Sequence, residues 1–176
     1  MKGKENLDKV FSEEIKKPSD FKFGATVANA FDDMVERSVP FYNEIQRMII
    51  ELSAEHALPN TNVIDLGCST GTTMIGLNPF VNENINFIGI DDSDEMLKKC
   101  SLKLQVRPIY REKLLKRIFD GLVPGGVLII SEKVLAEDSL FNRNFIKYYY
   151  DYKRRNQYSE MEISQKREAL ENVLIP

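Results

Sequence analysis

The sequence predicts an α/β fold with a mostly parallel, doubly wound sheet and helical additions, on three observations. Val63-Ile64-Asp65-Leu66-Gly67-Cys68-Ser69-Thr70-Gly71 reads as a buried strand running into a tight glycine turn and then a helix. Ile88-Gly89-Ile90-Asp91-Asp92 reads as a second strand, ending in an acidic pair about twenty residues past that turn. Val127–Ser131, after the turn Val123-Pro124-Gly125-Gly126, is a third and strongly apolar strand.

The remaining elements follow in chain order. Residues 1–25 mix charge with Lys16-Lys17-Pro18 and read as a loosely held N-terminal arm. Over residues 27–58 apolar side chains recur at helical spacing (Val27, Ala30, Phe31, Met34, then Ile45, Met48, Ile49, Leu52), and Pro40 splits the run into two helices. Pro59-Asn60 is a turn, and strands are expected at Asn62–Leu66 and Asn86–Ile90, with a helix from about Thr70 to Leu77 between them. Ser93 is placed to cap the next helix, with Asp94 and Glu95 in its first turn where the dipole favours them. Pro108–Leu122 reads as an amphipathic helix with Leu114, Leu115, Ile118 and Phe119 inward. Residues 139–174 form a helical tail, Ser139–Arg155 and then Ser159–Leu174, where Ser159 and Glu162 make a capping-box pattern. The organisation expected is one domain over residues 1–176, whose sheet core spans 62–133.

Composition narrows the classes. A chain of 176 residues with 43% hydrophobic and 29% charged residues is globular rather than disordered. A net charge of −3 gives no general pull toward nucleic acid, and no apolar run is long enough for a membrane helix. Cys68, Cys100 and the single His56 fall short of a zinc site, so no metal is expected. Two cysteines without a CxxC read as reduced thiols, and a soluble cytoplasmic protein is the default.

The spacing also predicts something missing. Asp91 and Gly125 are 34 positions apart, and two helices consume most of that interval. A doubly wound fold needs two more strands and a helix there, at roughly 30 residues per βα unit. Without them Val127–Ser131 has no neighbour in the sheet. The expectation is therefore that internal residues are lost between about Cys100 and Arg107, and that closing segments beyond Pro176 are lacking.

The chemistry starts at the glycine turn. Glycines let backbone approach a nucleoside ligand, and a carboxylate ending the second strand accepts from ribose hydroxyls. A pyrophosphate on a helix N-terminus wants GxGxxG, whereas this turn is Gly-Cys-Ser-Thr-Gly with Asp65 before it. That acid would repel a diphosphate and suit a cationic group. In the tail, Tyr148-Tyr149-Tyr150-Asp151-Tyr152 reads first as helix packing, and the charges from Lys153 to Arg167 first as a solvated face. A guanidinium among them that reached the ligand would hold a carboxylate in a bidentate pair.

Asp65-x-Gly67-x-Ser69-x-Gly71 resembles the first motif of class I S-adenosylmethionine-dependent methyltransferases, with Ser69 where a third glycine is usual. Arg37-Ser38-Val39-Pro40-x-Tyr42, Asp65-Leu66-Gly67-Cys68-Ser69-x-Gly71 and Ser131-Glu132-Lys133 resemble one family within that fold. Tyr158-Ser159-Glu160-x-Glu162-Ile163-Ser164-Gln165-Lys166-Arg167 and Leu170-Glu171-Asn172-Val173 extend the likeness. The family is the carboxy-S-adenosylmethionine synthases of the tRNA wobble-uridine pathway.

The resemblance implies a Rossmann-like methyltransferase fold and a reaction other than methyl transfer. S-adenosylmethionine and prephenate would give carboxy-S-adenosylmethionine and phenylpyruvate, the sulfonium stabilising a neighbouring carbanion that captures carbon dioxide from prephenate. The product would then serve a tRNA carboxymethyltransferase, the functional partner, with no direct nucleic-acid or membrane contact. It also implies a homodimer, with Tyr42, Gly67, Cys68, Ser69, Asp91 and Asp92 contacting the cofactor and Arg167 pairing with the new carboxylate. It identifies no catalytic residue.

The chain departs from the family at Phe41, where a glycine is usual, and in the acid after the third strand and the asparagine on the fourth, which have no match. Two other readings share these motifs: a conventional methyltransferase acting on a small molecule or tRNA, and a non-catalytic cofactor-binding protein.

Overall fold

A computed structural model describes residues 7–15, 21–82, 84–103, 118, 120–131 and 137–170. Their contacts divide the chain into two compact units, one of residues 1–42 and 131–176 and the other of residues 43–130.

The second unit carries the sheet. Strands β1 (Asn62–Leu66) and β2 (Asn86–Ile90) run parallel, in a register that places Val63 opposite Phe87 and Asp65 opposite Gly89. The crossover between them is α3 (Thr72–Leu77) and a 3-10 turn at Asn78–Phe80. Pro79 carries no amide proton to continue the α-helix, so the chain tightens and leaves. Helix α2 (Tyr42–His56) lies against α3, with the Thr73 hydroxyl donating to Gln46 at 3.0 Å. After β2 comes α4 (Asp94–Lys103), capped as the sequence predicts: Ser93 Oγ accepts the Met96 amide at 3.2 Å. Cys68, Met74 and Cys100 are buried together, with Phe87 and Leu97 packed on them.

The third strand is a correction. Residues 127–131 form no strand, and Val127, Leu128 and Ile130 are 41%, 43% and 62% exposed. Among the described residues the sheet has two strands, β1 and β2, so an apolar segment with high strand propensity has no ladder to join. The turn before it does form, with Gly125 at φ 83° and the Gly126 amide donating to Val123 at 2.8 Å. Most of the expected Pro108–Leu122 helix, Leu114, Leu115 and Phe119 included, lies outside the described residues.

The first unit is helical, with α1 (Ala25–Ser38), α5 (Ser139–Arg155) and α6 (Glu160–Leu170). Asp138 caps α5, accepting the Leu140 and Phe141 amides at 2.8 and 3.0 Å. The capping box on α6 is made in both directions, Ser159 N–H to Glu162 and Glu162 N–H to Ser159 Oγ. Residues 171–174 of the expected last helix lie outside the described residues.

The N-terminal segment is held more firmly than its composition predicts. Asp8, Phe11 and Phe21 are 2%, 8% and 8% exposed, and Phe11, Phe21, Phe23 and Phe31 form a run of ring contacts 5.0–6.2 Å apart. Gln165 on α6 fixes the same segment, donating to the Phe11 and Glu13 carbonyls and accepting from the Ile15 amide.

Pro40 separates α1 from α2 as expected, and the next residue takes the strain. Phe41 has φ 57° and is 78% exposed, so a bulky residue sits in left-handed backbone with little burial in return. The left-handed conformation costs a non-glycine residue about 1–2 kcal/mol, and glycine's extra unfolded-state entropy returns about half of that. Phe41→Gly is therefore expected to raise the thermal midpoint by a few degrees, and an unchanged or lowered midpoint in a melting curve counts against the strain.

Candidate functional site

The glycine turn leaves β1 through alternating left-handed residues, Gly67 at φ 80°, Ser69 at φ 47° and Gly71 at φ 80°. Ser69 thus occupies the backbone conformation that explains why glycine is the usual residue there. Its compensation is local: the Ser69 amide donates to Asp91 Oδ2 at 2.9 Å. The Gly67 and Cys68 amides both donate to the Ile90 carbonyl, at 2.7 and 3.0 Å, and the Gly71 amide to the Cys68 carbonyl at 2.8 Å. The donors of residues 67, 68, 69 and 71 are therefore engaged inside the protein. A phosphate cradle needs such donors directed at the ligand. This turn instead keeps acidic and carbonyl oxygens around it, which suits a cation.

Asp91 directly follows β2 and is 9% exposed. Its second oxygen, Oδ1, accepts the Ser93 amide at 2.9 Å, so the carboxylate is fixed from both sides. An ionised carboxylate has about four acceptor sites, which leaves capacity for hydroxyl donors. Asp92, next in the chain, is exposed.

Asp65 has no hydrogen-bond or ion-pair partner among the described residues. Burial, and then the charge of Asp91, pushes its carboxyl up to about 6. Cys68 is 4% exposed and its side chain belongs to the core. A hydrogen bond with Cys100, and then burial, holds the thiol well above its ordinary range, so it is neutral and offers a ligand only its backbone. Gly89 makes room for this packing: a Cβ there would lie 2.8 Å from both Cys68 Sγ and Met74 Cε.

The structure thus brings Gly67, Cys68, Ser69, Asp91 and Asp92 together, and adds Asp65 to them. Tyr42 and Arg167 belong to the first unit. Tyr42 is half-buried at the start of α2, its amide donating to the Val39 carbonyl at 3.3 Å. Arg167 is exposed near the end of α6, with no hydrogen-bond or ion-pair partner among the described residues.

The first unit also contains a buried polar cluster that the sequence does not announce. Asp8 Oδ2 accepts from the Tyr158 hydroxyl at 2.5 Å and from Lys166 Nζ at 3.4 Å. Lys166 Nζ also donates to Ser38 Oγ at 3.0 Å, and Ser38 donates to the Tyr158 hydroxyl at 3.3 Å, closing a ring. Arg37 borders it, its guanidinium 4.1 Å from the centre of the Tyr158 ring, with Nη1 3.2 Å from Asp33 and Nε donating to the Asn156 carbonyl. Burial, and then the hydrogen bond to Asp8, raises the Tyr158 hydroxyl above its ordinary value, and burial lowers the Lys166 ammonium despite Asp8. The signal the sequence offers is that Arg37-Ser38 and Tyr158 through Lys166 fall in two of the segments that carry the resemblance.

Comparison with known proteins agrees with this geometry. Residues 57–107, which hold β1, the turn, β2 and α4, match the model of a methyltransferase domain. The carboxy-S-adenosyl-L-methionine synthase of Methylococcus capsulatus is 48% identical over 193 residues, covering 89% of this chain and 80% of that protein. The synthases of Sulfurimonas denitrificans (42% identical; 96% of this chain, 85% of that protein) and Desulfotalea psychrophila (40%; 89% and 78%) are similar. An alignment over 193 residues is longer than the whole 176-residue chain, so the Methylococcus protein carries internal residues that this chain lacks. The fold is a shortened Rossmann-like methyltransferase fold, and the chain belongs to the carboxy-S-adenosyl-L-methionine synthase family, enzymes of the methyltransferase superfamily that take S-adenosylmethionine as substrate and give its carboxylated form.

Proposed function

We propose that the chain, as a single S-adenosylmethionine-binding domain, converts S-adenosylmethionine and prephenate to carboxy-S-adenosylmethionine and phenylpyruvate. The observation that carries the substrate is the turn itself, with its donors engaged and an unpaired acid, Asp65, beside it. Gly67, Cys68 and Ser69 would line the methionine part with backbone, Asp91 would take the ribose hydroxyls and Asp92 would lie beside the adenine. Tyr42 would contact the same molecule, and Arg167 would pair with the added carboxylate. The sulfonium supplies the acidity of the carbon that is carboxylated. The chain's own groups bind and orient: Asp65 faces the positive charge and Asp91 holds the ribose.

The same reading places the product in tRNA wobble-uridine modification through a carboxymethyltransferase, with the synthase as a cytoplasmic homodimer that contacts neither nucleic acid nor membrane. Among the described residues no helix is long and apolar enough to cross a membrane.

Incubation with S-adenosylmethionine, with and without prephenate, followed by mass spectrometry, tests the reaction. Carboxy-S-adenosylmethionine and phenylpyruvate are expected only when both substrates are present. S-adenosylhomocysteine formed with an acceptor would favour a conventional methyltransferase, and unchanged cofactor a binding protein.

Asp65 gives a pH signature. A bound sulfonium and ammonium favour its carboxylate form, so protonation on the acid side of about 6 weakens binding. Affinity for S-adenosylmethionine is expected to rise about tenfold between about pH 5 and 7 and then level off. Calorimetric titration across that range checks it, and a profile in Asp65→Asn as steep as in the native chain would contradict the assignment.

A further inference from the structure

We infer that the buried ring of Asp8, Ser38, Tyr158 and Lys166 is a positioning device for specificity, which holds Arg167 and Tyr42 in the geometry that distinguishes a carboxylated cofactor from S-adenosylmethionine. The inference rests on the reading of Arg167 as the carboxylate partner.

The ring joins the two segments that carry those residues. Ser38 is the last residue of α1, four positions before Tyr42, and Lys166 immediately precedes Arg167. Both contribute to one cycle of hydrogen bonds with Tyr158 and Asp8. Ser38, Tyr158, Lys166 and Asp8 are 5%, 5%, 4% and 2% exposed, so the cycle is shielded from competing water. Successive helical residues are about 100° apart around the axis, so fixing Lys166 inward fixes where Arg167 leaves the helix. Gln165 adds a second anchor through its three bonds to residues 11–15. Two adjacent inward side chains, each tied to a different partner, leave α6 little freedom to rotate.

A ring of this kind is poorly explained by stability alone. Burying two opposite charges often gains nothing over well-packed apolar residues, and fixing one geometry is the better-attested use of such groups. An exposed arginine has many rotamers, and its preference for a carboxylate depends on how much orientation is set in advance. The ring supplies that at the backbone of both segments without touching the ligand, so its members are positioning residues.

The test compares the full chain with Tyr158→Phe, Ser38→Ala and Arg167→Ala, measuring dissociation constants for carboxy-S-adenosylmethionine and S-adenosylmethionine at a temperature where circular dichroism shows each variant folded. A merely structural defect lowers both affinities by the same folded fraction and leaves their ratio unchanged. The inference expects Tyr158→Phe to reduce the preference for the carboxylated ligand by about fivefold to tenfold, the scale of one lost hydrogen bond, with Ser38→Ala in the same direction. Should Tyr158→Phe fail to fold, Ser38→Ala alone decides. Loss of preference in Arg167→Ala with the ring variants unchanged overturns the inference and leaves the Arg167 reading standing. Unchanged preference in Arg167→Ala overturns both.

Discussion

Arg167→Ala is expected to weaken binding of carboxy-S-adenosylmethionine by about 30- to 150-fold while leaving affinity for S-adenosylmethionine nearly unchanged. The magnitude is that of a charge-assisted, bidentate guanidinium–carboxylate pair, about 2–3 kcal/mol. The asymmetry is the informative part. S-adenosylmethionine carries no carboxylate at the reacting carbon, and a guanidinium near its sulfonium repels it. Removing Arg167 therefore costs that ligand nothing at the reacting centre. The side chain is exposed and has no partner among the described residues, so its truncation breaks no internal bond there that would disturb the fold. Calorimetric titration of both ligands reads the effect, and equal losses for the two would remove Arg167 from its assigned role. Arg167→Lys is expected to recover only part of the preference, because an ammonium keeps the charge but not the planar fork.

Lys166→Met is expected to be the most damaging change to stability, about 3 kcal/mol in denaturant unfolding. Lys166 and Asp8 are buried together at 3.4 Å, with side-chain exposures of 5% and 2%. Removing one partner of such a pair strands the other charge away from water, typically at 3–5 kcal/mol. Asp8 retains the Tyr158 hydroxyl and the Val10 amide as donors, which places the expectation at the low end of that range. The direction of the Lys166 shift makes a second statement. Burial outweighs Asp8 in lowering its pKa, so the pair does not fully offset the cost of bringing the ammonium inside. Replacing both members, in Asp8→Asn with Lys166→Met, is therefore expected to recover more than half of the loss. A single variant within about 0.5 kcal/mol of the native chain would show that the pair is not what holds these segments together.

Local structure was legible wherever short-range physics decides it. Both strands, the break at Pro40, the Ser93 cap and the Ser159–Glu162 box rest on residue chemistry within a few positions, and the structure forms each of them. Val127–Ser131 was misread for the opposite reason. Its composition is that of a strand, but a strand exists only with a partner, and the partner is a property of the sheet. The same sequence, through its spacing, said that the partner was missing. Asp8 and the N-terminal segment were misread because charge near a terminus resembles a solvated arm, and only the fold brings Tyr158 and Lys166 to it across 150 and 158 positions. At the turn, the pattern of glycines suggested a nucleoside, and the hydrogen bonds supply the reason it is not a phosphate site. Ser69 and Phe41, the two positions that depart from a usual glycine, both prove to be left-handed.

The site that begins at Asp65 is proposed to serve a carboxylated cofactor. The purified chain can be loaded with an equimolar mixture of S-adenosylmethionine and carboxy-S-adenosylmethionine, passed through a desalting column, and the retained ligand identified by mass spectrometry after denaturation. Carboxy-S-adenosylmethionine is expected to dominate the bound fraction. A bound fraction in which S-adenosylmethionine equals or exceeds it would overturn that assignment.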